Sequence, residues 1–317
     1  MKKIVVIGGG NGSAVSIEAL RASGIPMELS AVVSVTDSGG SSGRLREEFG
    51  MLPPGDILRA ILAMSRYDYQ SVLKPLFYRT RFDDVGALSG HNLGNLFLTL
   101  AARYDGKFIS AIRALEQAVE AIGHVYPATK LPTDLVATLE SGETIRTEAA
   151  IDRPTYDLSD RIAKVAIDPM VPANDHALEK IREAEYIFLG PGSLYCSVVA
   201  ALLPQGIREA IDDSSAMLVY VVGNAYERFG ETGATTLVEF IESLERYLPR
   251  PIDVLIHNDA TLSAEQRKHY EEKSWAVIDA TELPECPRII QQSFESGSGG
   301  LSAAGLGKIF KEQLFSV

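Results

Sequence analysis

Residues 3–13 read KIVVIGGGNGS and residues 29–44 read LSAVVSVTDSGGSSGR, and between them Ser13 to Ala22 carries Ala14, Val15, Ile17, Ala19 and Leu20 at mostly helical spacing. A β-branched run, a glycine loop, a helix and a second apolar run make a βαβ unit. The second run is nearly continuous in apolar residues, as a parallel strand covered on both faces requires. The same order recurs further on. Tyr186 to Leu189 precedes GPGS, Met217 to Val222 precedes GNA, Ile252 to Ile256 precedes HND, and Trp275 to Ile278 precedes DAT. The predicted fold class is α/β with a mostly parallel sheet.

Between the early and late strands, residues 54–123 carry helical periodicity, as in Ile57-Leu58-Ile61-Leu62 and Leu93-Leu96-Phe97-Leu100, and read as a helical cap insertion. Asp134 to Ala149 alternates on both sides of Ser141-Gly142-Glu143, which predicts a β-hairpin at a sheet edge. No repeat or Pro-rich linker divides the chain, so residues 1–317 are read as one discontinuous α/β domain. The 317 residues are 46% hydrophobic, ample for a large core. Lys plus Arg number 30 against 42 Asp plus Glu, a net charge of −12, which argues against nucleic acid or an anionic membrane as partner. Cys196 and Cys286 are the two cysteines, with no CxxC or Cys/His spacing, so neither a disulfide framework nor a structural zinc site is expected. The opening MKKIVVIGGGNG is too short in apolar residues for a signal peptide, and no run approaches a membrane span. The expectation is a soluble cytoplasmic protein with a small-molecule partner, a homo-oligomer being left open.

The loop Gly8-Gly9-Gly10-Asn11-Gly12-Ser13 lies between strand and helix, where N–H groups attract an anion, most often phosphate. Ser13 falls where the third glycine of a dinucleotide fingerprint would stand, and no Walker lysine is present; a tight turn without ligand is the alternative. The second strand runs into Asp37-Ser38-Gly39-Gly40-Ser41-Ser42-Gly43-Arg44. Asp37 suits Mg²⁺ or a hydroxyl, and Arg44 suits a phosphate clamp. A helix cap by Ser41 or Ser42 with Arg44 solvated is the plainer use. Two such loops together suit a nucleoside diphosphate or two phosphorylated ligands. His91, Asn92 and Asn95 start a helix, the two asparagines sharing one face, and can read a base, a sugar or a carbonyl. No GxSxG occurs, and none of the five histidines has an evident nucleophile. Gly190, Gly192 and Ser193 repeat the anion-loop pattern at a third strand end, and Asn224 follows another. Asp56 is read as an N-cap ahead of a second metal carboxylate. Trp275 heads a strand and needs no ligand to explain it.

The blocks IGGGNG (7–12), VSVTDSGGSSGRLREEFGMLPPGDI (33–57), SGHNLGNL (89–96) and FLGPGSLYCSVV (188–199) resemble the CofD-like superfamily and, within it, the YvcK-type gluconeogenesis factors of the UPF0052 kind. The resemblance implies a three-layer Rossmann-like fold and a crevice for UDP-sugars, above all UDP-N-acetylglucosamine. It also implies a cytoplasmic role linking carbon metabolism with cell-wall growth and cell shape. The founding relative is a 2-phospho-L-lactate transferase that acts on a deazaflavin with Mg²⁺. Matched to the family motifs, Asn11 stands where threonine is usual and Ser38 where many members have a second aspartate, while Asp37 keeps the first. Ala200-Ala201 replaces Pro-Asn, and Tyr270 matches a tyrosine the family sets against the nucleotide. For an arginine expected near the C-terminal end, either Arg288 takes its place or the contact is absent. The function expected is nucleotide-sugar binding with regulation. The alternative is a Mg²⁺-dependent transfer of a 2-phospholactyl-type group from a nucleotide diphosphate donor to an acceptor hydroxyl. Ser38 in place of a carboxylate and the want of a general base favour binding without chemistry.

Overall fold

The computed structural model describes residues 1–83 and 86–315. Its strands are β1 (Lys2–Gly8), β2 (Met27–Val33), β3 (His124–Pro127), β4 (Asp134–Leu139), β5 (Thr144–Arg146), β6 (Ile162–Asp168), β7 (Tyr186–Leu189), β8 (Met217–Val222), β9 (Ala225–Glu227), β10 (Val254–His257), β11 (Trp275–Val277) and β12 (Arg288–Gln291). Seven of them form one sheet in the order β12-β10-β8-β7-β1-β2-β3, with all neighbours parallel. Along β1 the apolar run serves both faces. Val5 and Ile7 join one hydrophobic core and Ile4 and Val6 the other, so the sheet is the middle of three layers. A strand buried on both sides has no polar alternation, which is why IVVI is unbroken.

Strand order reverses between β1 and β7: the chain proceeds from β1 to β2 and β3 on one side and from β7 to β8, β10 and β12 on the other. In open α/β sheets the crevice beyond the strand ends opens at such a reversal. Helices α1 (Gly10–Ala22) and α2 (Gly40–Phe49) follow β1 and β2 directly and carry the two glycine loops to it. Within residues 54–123, α3 (Gly55–Met64) is buried at every position except Arg59 and packs beneath the sheet. The helices Tyr69–Arg79, α4 (Leu93–Asp105) and Phe108–Ala118 follow it before the chain re-enters the sheet at β3.

Three details depart from the sequence expectation. The strand at Trp275 pairs antiparallel with β9 in a two-stranded ribbon and stays outside the main sheet. The edge strands β3 and β12, four residues each, carry too little apolar pattern to read. The hairpin β4–β5 recruits β6 into its own three-stranded antiparallel sheet, with β4 burying alternate residues. Among the described residues, no helix is long and apolar enough to cross a membrane.

Candidate functional site

A crevice of about 890 Å³ lies at this reversal, lined by Gly10 to Gly12 after β1, Asp37 to Ser42 after β2, Asn92 and Asn95 of the α4 start, Gly192 and Ser193 after β7, and Asn224 and Tyr270 at the far end. Gly8, Gly9, Ser13, Arg44, His91 and Gly190 do not line it. The Gly9 carbonyl accepts the Ser13 hydroxyl (3.0 Å), and the Gly190 carbonyl accepts the Ser16 hydroxyl (2.7 Å). These residues therefore build the loops from behind. A Cβ on Gly12 would run into the Pro191 carbonyl, so glycine there lets the first and third loops touch. Arg44 is exposed and donates to the Ser89 carbonyl (3.0 Å), and no side chain caps α2, whose N-cap is Gly39.

In the second loop, Asp37 Oδ1 accepts the Gly39 N–H (2.9 Å) and so shapes the turn into α2. Ser38 clamps a distant segment: its N–H donates to Glu148 Oε2 (3.2 Å) and its hydroxyl accepts the Ala149 N–H (2.9 Å). The clamp brings the helix Glu148–Asp152 to the crevice, where Glu148 and Asp152 join Asp37 and Asp56 in the lining. Burial, then the Asp56 charge, raises Asp37 to about 6. Burial, then Asp37, raises Glu148 to about 8, and burial also raises Asp152. Asp56 is not the N-cap expected. It lies inside α3, makes no cap bond, and pairs with Arg59 one turn on, which in turn donates to the Tyr78 hydroxyl. Glu148 and Asp152 escaped sequence reasoning because they stand more than a hundred residues from the loop they face. The one hint was an acidic EAAID segment directly after the hairpin.

At the third loop the amides already hold an anion. Both carboxylate oxygens of Glu231 accept the Tyr195 N–H (3.2 and 3.0 Å), and Oε2 also accepts the Cys196 N–H (2.9 Å). Burial pushes Glu231 up to about 7 against these hydrogen bonds. At these two amides, just beyond the Gly190 to Ser193 loop, the occupant is the chain's own carboxylate.

Aromatic groups gather at the far end. Tyr270 donates to Glu295 Oε1 (3.0 Å), and its ring meets Trp275 edge-on, centroids 5.4 Å apart. Trp275 lines the crevice, contrary to its assignment as a plain strand residue, because the β9–β11 ribbon carries it there. Asn224 donates to the Ala260 carbonyl (3.1 Å). Arg288 starts β12 and donates to the Gln313 carbonyl, away from the lining. Ala200 and Ala201 are core residues.

At the opposite end, Ser41 Oγ lies 2.8 Å from His91 Nδ1 and accepts Asn95 Nδ2 (3.0 Å), so one histidine does have a hydroxyl partner. Burial, then the Arg44 charge, lowers His91 below its ordinary value, the direction that favours the neutral ring. The crevice thus offers two glycine loops, carboxylate oxygens for a cation or hydroxyls, and an aromatic end for a planar ring.

The profile of the family described as 2-phospho-L-lactate transferase CofD matches residues 4–290. A Thermotoga maritima relative is 36% identical over 283 residues, 89% of this chain and 87% of that one. The gluconeogenesis factor of Bacillus subtilis is 34% identical over 279 residues, 87% of this chain and 85% of that one. A crystal structure of a UPF0052 family member from Bacillus halodurans matches with a TM-score of 0.86 at 29% identity, covering 98% of this chain and 99% of that one.

Proposed function

The chain belongs to the CofD family, and from that premise we propose that it is a cytoplasmic nucleotide-sugar-binding regulatory protein. It takes a UDP-N-acetylglucosamine-type ligand in the crevice and links carbon metabolism with cell-wall growth and cell shape. The observation that carries this reading is the one crevice in which two glycine loops lie between an aromatic end and a polar end at Asn92 and Asn95. That sequence of surfaces suits base, diphosphate and sugar in turn. The Bacillus subtilis relative's name, gluconeogenesis factor, supports the metabolic side.

The transferase reading, transfer of a 2-phospholactyl-type group to an acceptor hydroxyl, draws support from the family's description and from the carboxylates. Asp37 and Asp56 offer the hard oxygen atoms Mg²⁺ prefers, and Asp37 is raised by burial and then by the Asp56 charge beside it. They are the residues that would hold the ion, which would neutralise a bound diphosphate. Ser38, in the place of a further carboxylate, is spent on clamping Glu148 and Ala149. Binding without turnover is therefore the better reading.

Thermal denaturation against UDP-N-acetylglucosamine, UDP, GDP and a deazaflavin, each with and without Mg²⁺, tests it. A ligand at about 100 times its Kd stabilises the fold by roughly 2.7 kcal/mol, and UDP-N-acetylglucosamine is the one expected to do so. If GDP or the deazaflavin shifts the melting temperature and no nucleotide sugar does, the transferase reading replaces this one.

A further inference from the structure

We infer that Asn92 and Asn95 form a subsite for a group presenting an acceptor beside a donor, a hydroxyl or a secondary amide. The inference rests on the nucleotide-sugar reading of the crevice and names the part of the ligand this end takes. Asn92 is fully buried and its amide orientation is fixed, because Oδ1 accepts the Asn95 N–H (2.8 Å) as the cap of α4. Among the described residues, Nδ2 has no hydrogen-bond partner. Asn95 is 2% exposed. Ser41 Oγ lies 2.8 Å from His91 Nδ1, and with the His91 ring carrying its proton at Nε2 the single Ser41 proton goes to Nδ1, so its oxygen accepts from Asn95 Nδ2 (3.0 Å). Oδ1 of Asn95 is the group left over, and it too has no partner.

Buried polar atoms without partners are uncommon and costly, and here two occur three residues apart on residues that line a crevice. They are of opposite kind, one donor and one acceptor. A hydroxyl accepts from one and donates to the other, and a secondary amide does the same with its C=O and N–H. Ser41 belongs both to this network and to the second glycine loop, so the subsite begins where a group attached to a loop-bound diphosphate would come.

Isothermal titration with UDP, UDP-glucose and UDP-N-acetylglucosamine tests the inference on the wild type, Asn92→Asp and Asn95→Ala. Asn92→Asp keeps the capping oxygen and replaces the donor by an oxygen. Asn95→Ala removes the acceptor and favours the helix, and serves if the first variant fails to fold. The wild type is expected to bind a UDP-sugar about tenfold tighter than UDP, and each folded variant to lose that advantage while holding UDP within about twofold. The sugar that loses more separates the amide from the hydroxyl. Variants that keep the wild-type ratio of UDP-sugar to UDP affinity overturn the inference and leave the nucleotide-sugar reading standing, as does a wild type that binds UDP and both sugars equally. A wild type that binds none of the three removes that reading itself, and the inference with it.

Discussion

Glu148 reaches the crevice through the Ser38 N–H and there faces Asp37, and burial with that neighbour lifts its carboxyl to about 8. A carboxyl raised on folding stabilises the folded state while it is protonated. The contribution is complete below the ordinary value of 4.5 and is lost as pH rises through about 8. Glu148→Gln mimics the protonated form at every pH. It is expected to leave the melting temperature unchanged near pH 4 and to raise it near pH 8.5, read by calorimetry at constant ionic strength. An equal effect at both pH values would show that Glu148 does not titrate in this range. Asp37 acts in the same direction up to about 6, so the Glu148→Gln variant still loses some stability from pH 4 to pH 6. At this scale Asp37 was legible in the sequence because it sits within its own glycine loop. The roles of Ser38 and Glu148 were not, since hydrogen bonds across 110 residues leave no local pattern.

The third loop shows the same limit for a whole element. GPGS between an apolar strand and a helix reads correctly as a turn that exposes amides, yet nothing near it signals that Glu231 will cover them. The carboxylate works as a cap supplied from a distant loop. Glu231→Ala should therefore lower stability by about 1–3 kcal/mol, the cost of leaving a buried donor unsatisfied, and Glu231→Gln, which retains one acceptor, by less. Chemical denaturation separates them, and equal losses would show that Glu231 acts through packing rather than its oxygens. Strands were legible in proportion to how completely they are buried. β1, β7 and β8 lie inside the sheet with both faces covered and read directly as apolar runs. β3 and β12 lie at its edges, where one flank has no neighbour and HVYP or RIIQ suffices. Trp275 to Val277 has strand propensity and pairs elsewhere, since propensity fixes extended backbone but not the partner.

Across the whole molecule, the late helix Ala303–Ile309 closes against α1. A Cβ on Gly307 would lie 2.5 Å from the Ala19 carbonyl. Gly307→Ala sets two effects against each other: alanine favours the helix by up to about 1 kcal/mol, and overpacking against backbone costs typically 1–3 kcal/mol. The clash should win. The urea midpoint is expected to fall with an unchanged m-value, and a midpoint that rises would mean the two helices separate freely. The central place of β1 has a consequence for synthesis as well. Ile4 pairs with Tyr186, so the strand that enters the world first waits for a neighbour made far later. At 5–20 residues per second the ribosome takes roughly ten to forty seconds to supply it. Throughout that interval the nascent β1–β2 pair presents an open, apolar edge, the surface that holding chaperones shield and that neighbouring nascent chains join when shielding fails.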